Sequence, residues 1–296
     1  MMKDKDILAV SSKLSKLAVD SLIEEAKLTP KPGLVDSDNS GAHTDLNLRL
    51  MIKSAKALEE TFRKIAYVSY LQEPNQLLRE QVAEIGRMGE QEMFQATDGV
   101  NTHKGAIWAL GLLISGAAMS KEETDTEEIV LLASKLACFP DSKYEPVPTN
   151  GSRVSKKYGV QGARGEAQQG FPHIIDKALP TLRESRQRGV LEQLARVNAL
   201  LSIMTNLDDT CILHRGGTEA LAITKKQAAN ILDKGGVSSN EGWALLQELD
   251  KKLVSLNASP GGSADLLAAT LFLDRLLHQE GEATVNVNTI YVNGVS

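Results

Sequence analysis

Asn101, Thr102, His103, Lys104 and Gly105 set an amide, a hydroxyl, an imidazole and an ammonium directly before AIWALGLLISGAAMS, fifteen residues without a charge. A helix that starts there points free N–H groups outward and is already an anion site. Lys104 adds a full positive charge to it. For capping alone, a lysine in the first turn has the wrong sign against the helix dipole. The combination favours a docked phosphate or carboxylate over the plainer reading of a capped core helix with a solvent-seeking lysine.

Four further loops join glycine to charged or hydrogen-bonding residues. In LTPKPGLVDSDNSGAH (28–43), Pro30 and Pro32 hold Lys31 extended, and Asp36, Asp38, Asn39 and His43 crowd after it. KYGVQGARGEA (157–167) sets Arg164 between glycines, with Glu166 two residues on. Glycine lets backbone approach a ligand, and a guanidinium fork matches phosphate oxygens. NLDDTCILHRGG (206–217) carries Asp208 and Asp209, whose mutual repulsion a hard cation such as Mg²⁺ would relieve. Arg215, Gly216 and Gly217 follow. NASPGGSADLLAAT (257–270) offers Ser263 as a cap and Asp265 in the next helical turn. A carboxylate is favourable there on dipole grounds alone. None of the five spells a phosphate-binding P-loop, a zinc site or a Ser-His-Asp elbow. Together their cations and carboxylates suit a polyphosphate with Mg²⁺.

These loops need a frame, and the rest of the chain describes one. Of 296 residues, 42% are hydrophobic and the net charge is −5, with lysines and arginines scattered, which argues against a nucleic-acid partner. Two distant cysteines argue against a disulfide framework, and with five histidines they argue against a thiolate or histidine-rich metal site. The N-terminus lacks a signal-peptide core and the apolar run 105–119 falls short of a membrane span. The expectation is therefore a cytoplasmic chain with no membrane partner. Nine prolines leave long blocks free to be helical. Leu14, Leu17, Ala18, Leu22 and Ala26 recur at helical spacing, as do Leu78, Val82 and Ile85. Capping-box spellings at Ser120–Glu123, Thr224–Gln227 and Ser238–Glu241 suggest helix starts, and the acidic run 121–128 a solvated one. The reading is an all-α fold: one catalytic domain of about ten helices over residues 1–296, with 281–296 either a disordered tail or a short strand.

Five segments carry a resemblance: LTPKPGLVDSDNSGAH, GVNTHKGAIWALGLL, GARGEAQQGFP, DTCILHRGG and SPGGSADLLAATLFL. In this order, over roughly residues 20–275, they resemble the signature segments of the triphosphoribosyl-dephospho-CoA synthase family. The resemblance implies an all-α enzyme that joins ATP to 3′-dephospho-CoA with release of adenine. Its product is the prosthetic-group precursor of citrate lyase or malonate decarboxylase, passed on to an acyl-carrier-protein transferase. Whether the chain forms a homo-oligomer is left open. Where the family more often has Asn, this chain has Cys211, which puts any substrate contact of that Asn in doubt. On this reading Lys31, Asn101, His103, Lys104, Arg164, Arg215, Gly216 and Ser263 hold nucleotide and phosphate. Glu166 or Asp209 is the general base, and Asp36, Asp208 and Asp265 hold Mg²⁺. A rival reading is a Mg²⁺-dependent hydrolase of ADP-ribose-type N-glycosides, with water as acceptor. A third, a helical scaffold without catalysis, leaves the charged glycine loops unexplained.

Overall fold

The computed structural model describes residues 2–120, 126–143 and 148–290, and these residues are helical without strands. The helices are α1 (Met2–Lys27), α2 (Leu48–Ala57), α3 (Glu59–Ser69), α4 (Gln76–Ala96), α5 (Lys104–Met119), α6 (Thr126–Cys138) and α7 (Asn150–Tyr158). They continue as α8 (Gly162–Gln168), α9 (Leu179–Gln187), α10 (Glu192–Met204), α11 (Thr210–Asp233), α12 (Asn240–Ser255) and α13 (Gly261–Ile290). A π-helical turn precedes α9 and a 3₁₀ turn precedes α12. The all-α expectation holds, and about ten helices is close to the number seen, α2 and α3 being parted only at Leu58.

The uncharged run after Lys104 becomes α5, the axis of the fold. Ala106, Leu110, Leu113 and Ile114 are fully buried, and Ile107, Ala109, Leu112, Ala118 and Met119 nearly so. A helix apolar on every side has to be covered on every side, and α1, α3, α4, α6 and α13 do this. Burying each leucine or isoleucine contributes about 1.5–3 kcal/mol, so this one helix organises much of the core. Leu14, Leu17, Ala18, Leu22 and Ala26 form the buried stripe of α1, and Leu78 and Val82 that of α4. Among the described residues no helix is long and apolar enough to cross a membrane.

Local starts depart from their sequence spellings. Thr224 does not open a helix; it lies within α11 and its hydroxyl donates to the Ala220 carbonyl at 2.7 Å. The helix start near Ser238 falls one residue later, where Ser239 Oγ accepts from Gly242 N at 2.9 Å. Among the described residues a reciprocal capping box forms between Thr149 and Ser152. Positions 121–125, most of the acidic run and its capping spelling, lie outside the described residues. Helix α13 continues to Ile290, so the alternating stretch up to that residue is helical rather than strand-like; 291–296 lie outside the described residues.

Two glycines should respond oppositely to the same change. A Cβ on Gly116 would lie 2.3 Å from the Ile129 carbonyl oxygen, where α5 meets α6. That oxygen is backbone and has no rotamer with which to withdraw. A Cβ on Gly86 in α4 meets only Ile107 Cγ2, at 3.9 Å. Gly116→Ala should destabilise by about 1–3 kcal/mol despite better helix propensity, whereas Gly86→Ala should stabilise by up to ~1 kcal/mol. Thermal denaturation giving both variants the same sign would show that the α5–α6 approach is looser than described.

Candidate active site

Three long helices start close together. The first turn of α5 lies against α13 because Gly105 has no side chain: a Cβ there would sit 2.0 Å from Asp265 Oδ2. The start of α13 lies against α11 through Asp209, the N-cap of α11. Asp209 Oδ1 accepts from Cys211 N at 2.9 Å and more weakly from Ile212 N and Gly262 N, at 3.4 and 3.3 Å. Its Oδ2 accepts from Ser263 N at 2.8 Å and Ser263 Oγ at 2.9 Å. One buried carboxylate thus caps two helices at once. The glycines of SPGGSAD allow this approach, since Cβ atoms on Gly261 and Gly262 would lie 3.0 Å from Cys211 Sγ and 3.1 Å from Asp209 Oδ1. The seven-residue α8 abuts the same corner: Trp108 Nε1 donates to Ala163 O at 3.0 Å, and Gly162 lies beside Thr210.

The floor of this corner is charged and buried. Lys31 is 3% exposed, and its Nζ donates to the Glu25 carboxylate and, at 2.6 Å, to the Glu25 carbonyl. Burial raises the Glu25 carboxyl above its ordinary range against the opposing pull of Lys31. Asp265 is raised well above its ordinary range, first by burial and then by the negative charges of Glu25 and Asp209. Burial also raises Asp209, in spite of its hydrogen bonds. The Cys211 thiol is pushed far up by burial and these same two aspartates, so it carries no thiolate. His103, the N-cap of α5, is pushed down to about 3 by burial and then by Lys31, which keeps the imidazole neutral near pH 7. Its Nδ1 shares a 2.8 Å hydrogen bond with Ser54 Oγ, which meets Thr102 Oγ1 at 2.6 Å. Its Nε2 is buried and has no partner among the described residues.

The expected site residues divide accordingly. Lys31, His103, Lys104, Asp209, Ser263 and Asp265 come together at the corner, with Asn101 at its edge, where Oδ1 accepts from Lys104 N at 3.3 Å. Lys104 Nζ pairs with Glu90 at 2.6 Å, which answers part of its unfavourable position in the first turn. Lys31 is not an open phosphate anchor, because Glu25 takes its charge, and the Ser263 hydroxyl is committed to Asp209. Arg215 is exposed on α11 and donates to Ala42 O at 3.4 Å and to His43 Nδ1 at 3.2 Å. That nitrogen therefore accepts, and His43 Nε2–H donates to Ser259 Oγ at 2.8 Å, joining three of the five loops. Gly216 packs against Ala220 and Ala258, and Gly217 (φ 68°) kinks α11 directly after it. Arg164 is exposed beside a shallow pocket shared with Gln161, Gly165, Gln168 and Gln169. Glu166 is buried and bound twice by His173, from backbone N at 3.0 Å and from Nδ1 at 2.7 Å.

The proposed metal trio does not converge. Asp36 accepts from the backbone N–H groups of Lys31, Asp38 and Asn39 and closes its own loop. Asp208 is exposed and paired with Lys225 at 2.6 Å. Only Asp265 faces the corner, and among the described residues no group of three His, Cys, Asp or Glu is arranged to hold a metal ion. The residues present therefore do not fit a resident Mg²⁺ held by these three aspartates. Residues absent from the sequence-based set but built into the site are Glu25, His173 and Ser54. No local spelling marks them, since each is defined by a partner that only folding supplies.

Comparison with known proteins fits this arrangement. A sequence model of the family "CitG: ATP:dephospho-CoA triphosphoribosyl transferase" matches residues 11–284. A "2-(5''-triphosphoribosyl)-3'-dephosphocoenzyme-A synthase" of Klebsiella pneumoniae is 50% identical over 278 residues, 93% of this chain and 99% of that protein. A protein of Pseudomonas fluorescens (strain Pf0-1), named a "Probable" synthase of the same kind, is 49% identical over 271 residues, 91% of this chain and 93% of its own. In fold, the chain is similar to a crystal structure from Archaeoglobus fulgidus provisionally named a triphosphoribosyl-dephospho-CoA synthase. The TM-score is 0.50 at 18% identity, over 76% of this chain and 97% of that one. With a family match that spans nearly its whole length, this chain belongs to the ATP:dephospho-CoA triphosphoribosyl transferase family.

Proposed function

We propose that the chain transfers the triphosphoribosyl group of ATP to 3′-dephospho-CoA and releases adenine. The observation that carries this reading is the meeting of the α5, α11 and α13 N-termini beside Lys104. Lys104 gives a polyanion a positive charge at this meeting point, where Asp209 already takes the N–H groups of Cys211, Ile212, Gly262 and Ser263. In the reaction a ribose hydroxyl of dephospho-CoA forms a bond to C1′ of ATP's ribose while the C1′–N bond to adenine breaks. Adenine leaves with the bonding pair and gains a proton, and the hydroxyl gives one up. The three phosphates stay on their ribose throughout.

Lys104, whose pairing with Glu90 is partly exposed where that of Lys31 with Glu25 is buried, and Arg215 are the proposed anchors for the triphosphate. The buried Nε2 of neutral His103, without a partner among the described residues, is the proposed hydrogen-bonding group for the ligand. Asp265, whose ionised form is made costly by burial and like charge, gains most when positive charge develops at C1′ beside it. Mg²⁺, where required, enters with ATP as its counter-ion and neutralises phosphate charge. Glu166, held by His173, is the proposed general base. Asp209 holds the frame instead, because five donors already occupy its two oxygens. The product would pass, in the cytoplasm, to a transferase that loads the acyl carrier protein of citrate lyase or malonate decarboxylase. The N-glycoside hydrolase reading is less favoured, since it leaves the second substrate of the family without a role.

The first test is the product. Incubation with Mg²⁺-ATP and 3′-dephospho-CoA should yield adenine in step with a CoA derivative retaining three added phosphates, read by mass spectrometry. ADP or inorganic phosphate as main product would refute the transfer, and free ribose triphosphate with dephospho-CoA unconsumed would favour the hydrolase.

The second test separates base from frame. Glu166→Gln should keep its melting temperature and ATP affinity while losing about 10²–10⁴ in turnover. Asp209→Asn turns an amide NH₂ toward groups that are themselves donors, and should cost about 1–3 kcal/mol of stability. A native-like Asp209→Asn that is inactive, beside an active Glu166→Gln, would reverse the two roles.

A further inference from the structure

The corner accounts for one anion, whereas the proposed reaction brings two. A second concentration of positive charge lies one turn along α5, at Trp108. Arg79 of α4 lies with its guanidinium 5.1 Å from the centre of the Trp108 ring. It is only 7% exposed, and its Nε has no hydrogen-bond partner among the described residues. The edge of the same indole is bonded to Ala163 O at 3.0 Å, which brings Arg164 of α8 to the same place. Asp141, the carboxylate whose charge acts on Arg79, gives its Oδ2 to Arg87, and its buried Oδ1 has no hydrogen-bond partner among the described residues. A buried guanidinium N–H without an acceptor, here Nε, is costly unless something completes it. The neighbouring charges agree: burial first, then Arg164 and Arg87, hold the Arg79 group below its ordinary range, with Asp141 opposing them.

We infer that Arg79 and Arg164, set around Trp108, form a second anion subsite that takes the diphosphate of 3′-dephospho-CoA, with the pantetheine arm on α8. Two features favour this substrate over ATP. Arg164 opens onto a shallow pocket lined by Gln161, Gln168 and Gln169. Gln168 Nε2 donates to Ala137 O and Gln169 Nε2 to Gln161 Oε1, and the remaining amide atoms match the C=O and N–H groups of a pantetheine chain, which have no counterpart in a triphosphate. Trp108 also follows Lys104 by four residues, about 6 Å along the helix. That spacing keeps two polyanions on separate cations, where one shared cluster would set them against each other. The inference rests on the proposed transfer reaction only for the identity of the second substrate.

The test measures binding of 3′-dephospho-CoA and of ATP separately, by calorimetry on the full chain, in wild type, Arg164→Gln and Arg79→Met. Arg164 is exposed, so its variant should fold even if Arg79→Met does not. Each folded variant should bind 3′-dephospho-CoA about 10–100-fold more weakly, the loss of a charge-assisted hydrogen bond. ATP affinity should change less than about twofold, as expected for independent sites. Loss of ATP affinity instead would assign the arginines to the triphosphate and overturn the inference. Unchanged affinity for both ligands in folded variants would make the cluster purely structural and overturn it equally. Wild type that binds 3′-dephospho-CoA through these arginines yet releases no adenine would refute the transfer reaction while leaving the subsite intact.

Discussion

Helix N-termini repel one another, because each presents unpaired N–H groups and about half a positive charge. The site requires two of them, α11 and α13, in contact, and the Asp209 carboxylate makes that contact stable. It lies between the two helix starts and accepts from the backbone of both, as well as from Ser263 Oγ. Removing it from water is costly enough to raise its pKa even with those donors in place. The arrangement therefore depends on a buried carboxyl whose burial cost is offset by the donors of two helix starts. Gly261 and Gly262 are part of the same device, because side chains there would meet Cys211 and Asp209 at close to 3 Å.

A buried positive frame needs internal counter-charges, and these determine which groups stay free for chemistry. Lys31 neutralises Glu25 at the base of the corner, and its remaining field falls on His103, which stays neutral. Asp265 then stands beside Glu25 and Asp209, held by the Ala106 N–H and with no cation paired to it among the described residues. On the proposed reading, the rim of the corner takes the anion and its floor holds a carboxyl that gains when positive charge arrives. A glycosyl transfer has that polarity: phosphate at one end of the ribose, developing positive charge at the other.

Much of this was legible in the sequence wherever a property is local. The uncharged run after Lys104 announced a helix buried on all sides, the period of α1 gave its stripe, and the five glycine-bearing segments marked the loops. What a charge does was less legible, because that depends on partners distant in the chain. Lys31 reads as a phosphate anchor until folding places Glu25 against it. Asp36 reads as a metal ligand until its own loop supplies three N–H donors. The paired aspartates 208 and 209 look equivalent, yet one is exposed beside Lys225 and the other buried beneath two helices. Arg79 carried no signal, since its role follows from α4 packing across a tryptophan of α5.

The use of α5 as an axis has a mechanical consequence. Both ends of the proposed chemistry hang from its first two turns: His103, Lys104 and Gly105 face the corner, and Trp108 carries Arg79 and α8. Beyond them the helix enters a core that grips it on every side, closely enough that Gly116 touches the backbone of α6. A helix so held does not slide or rotate by fractions of a turn, because interiors packed like crystals lack the space. The separation between the two sets of cations is thereby fixed by helical rise rather than by loop conformation. Two charged substrates that must meet at one carbon atom need that fixed distance, because misplacement by about 1 Å can cost a hundredfold in rate.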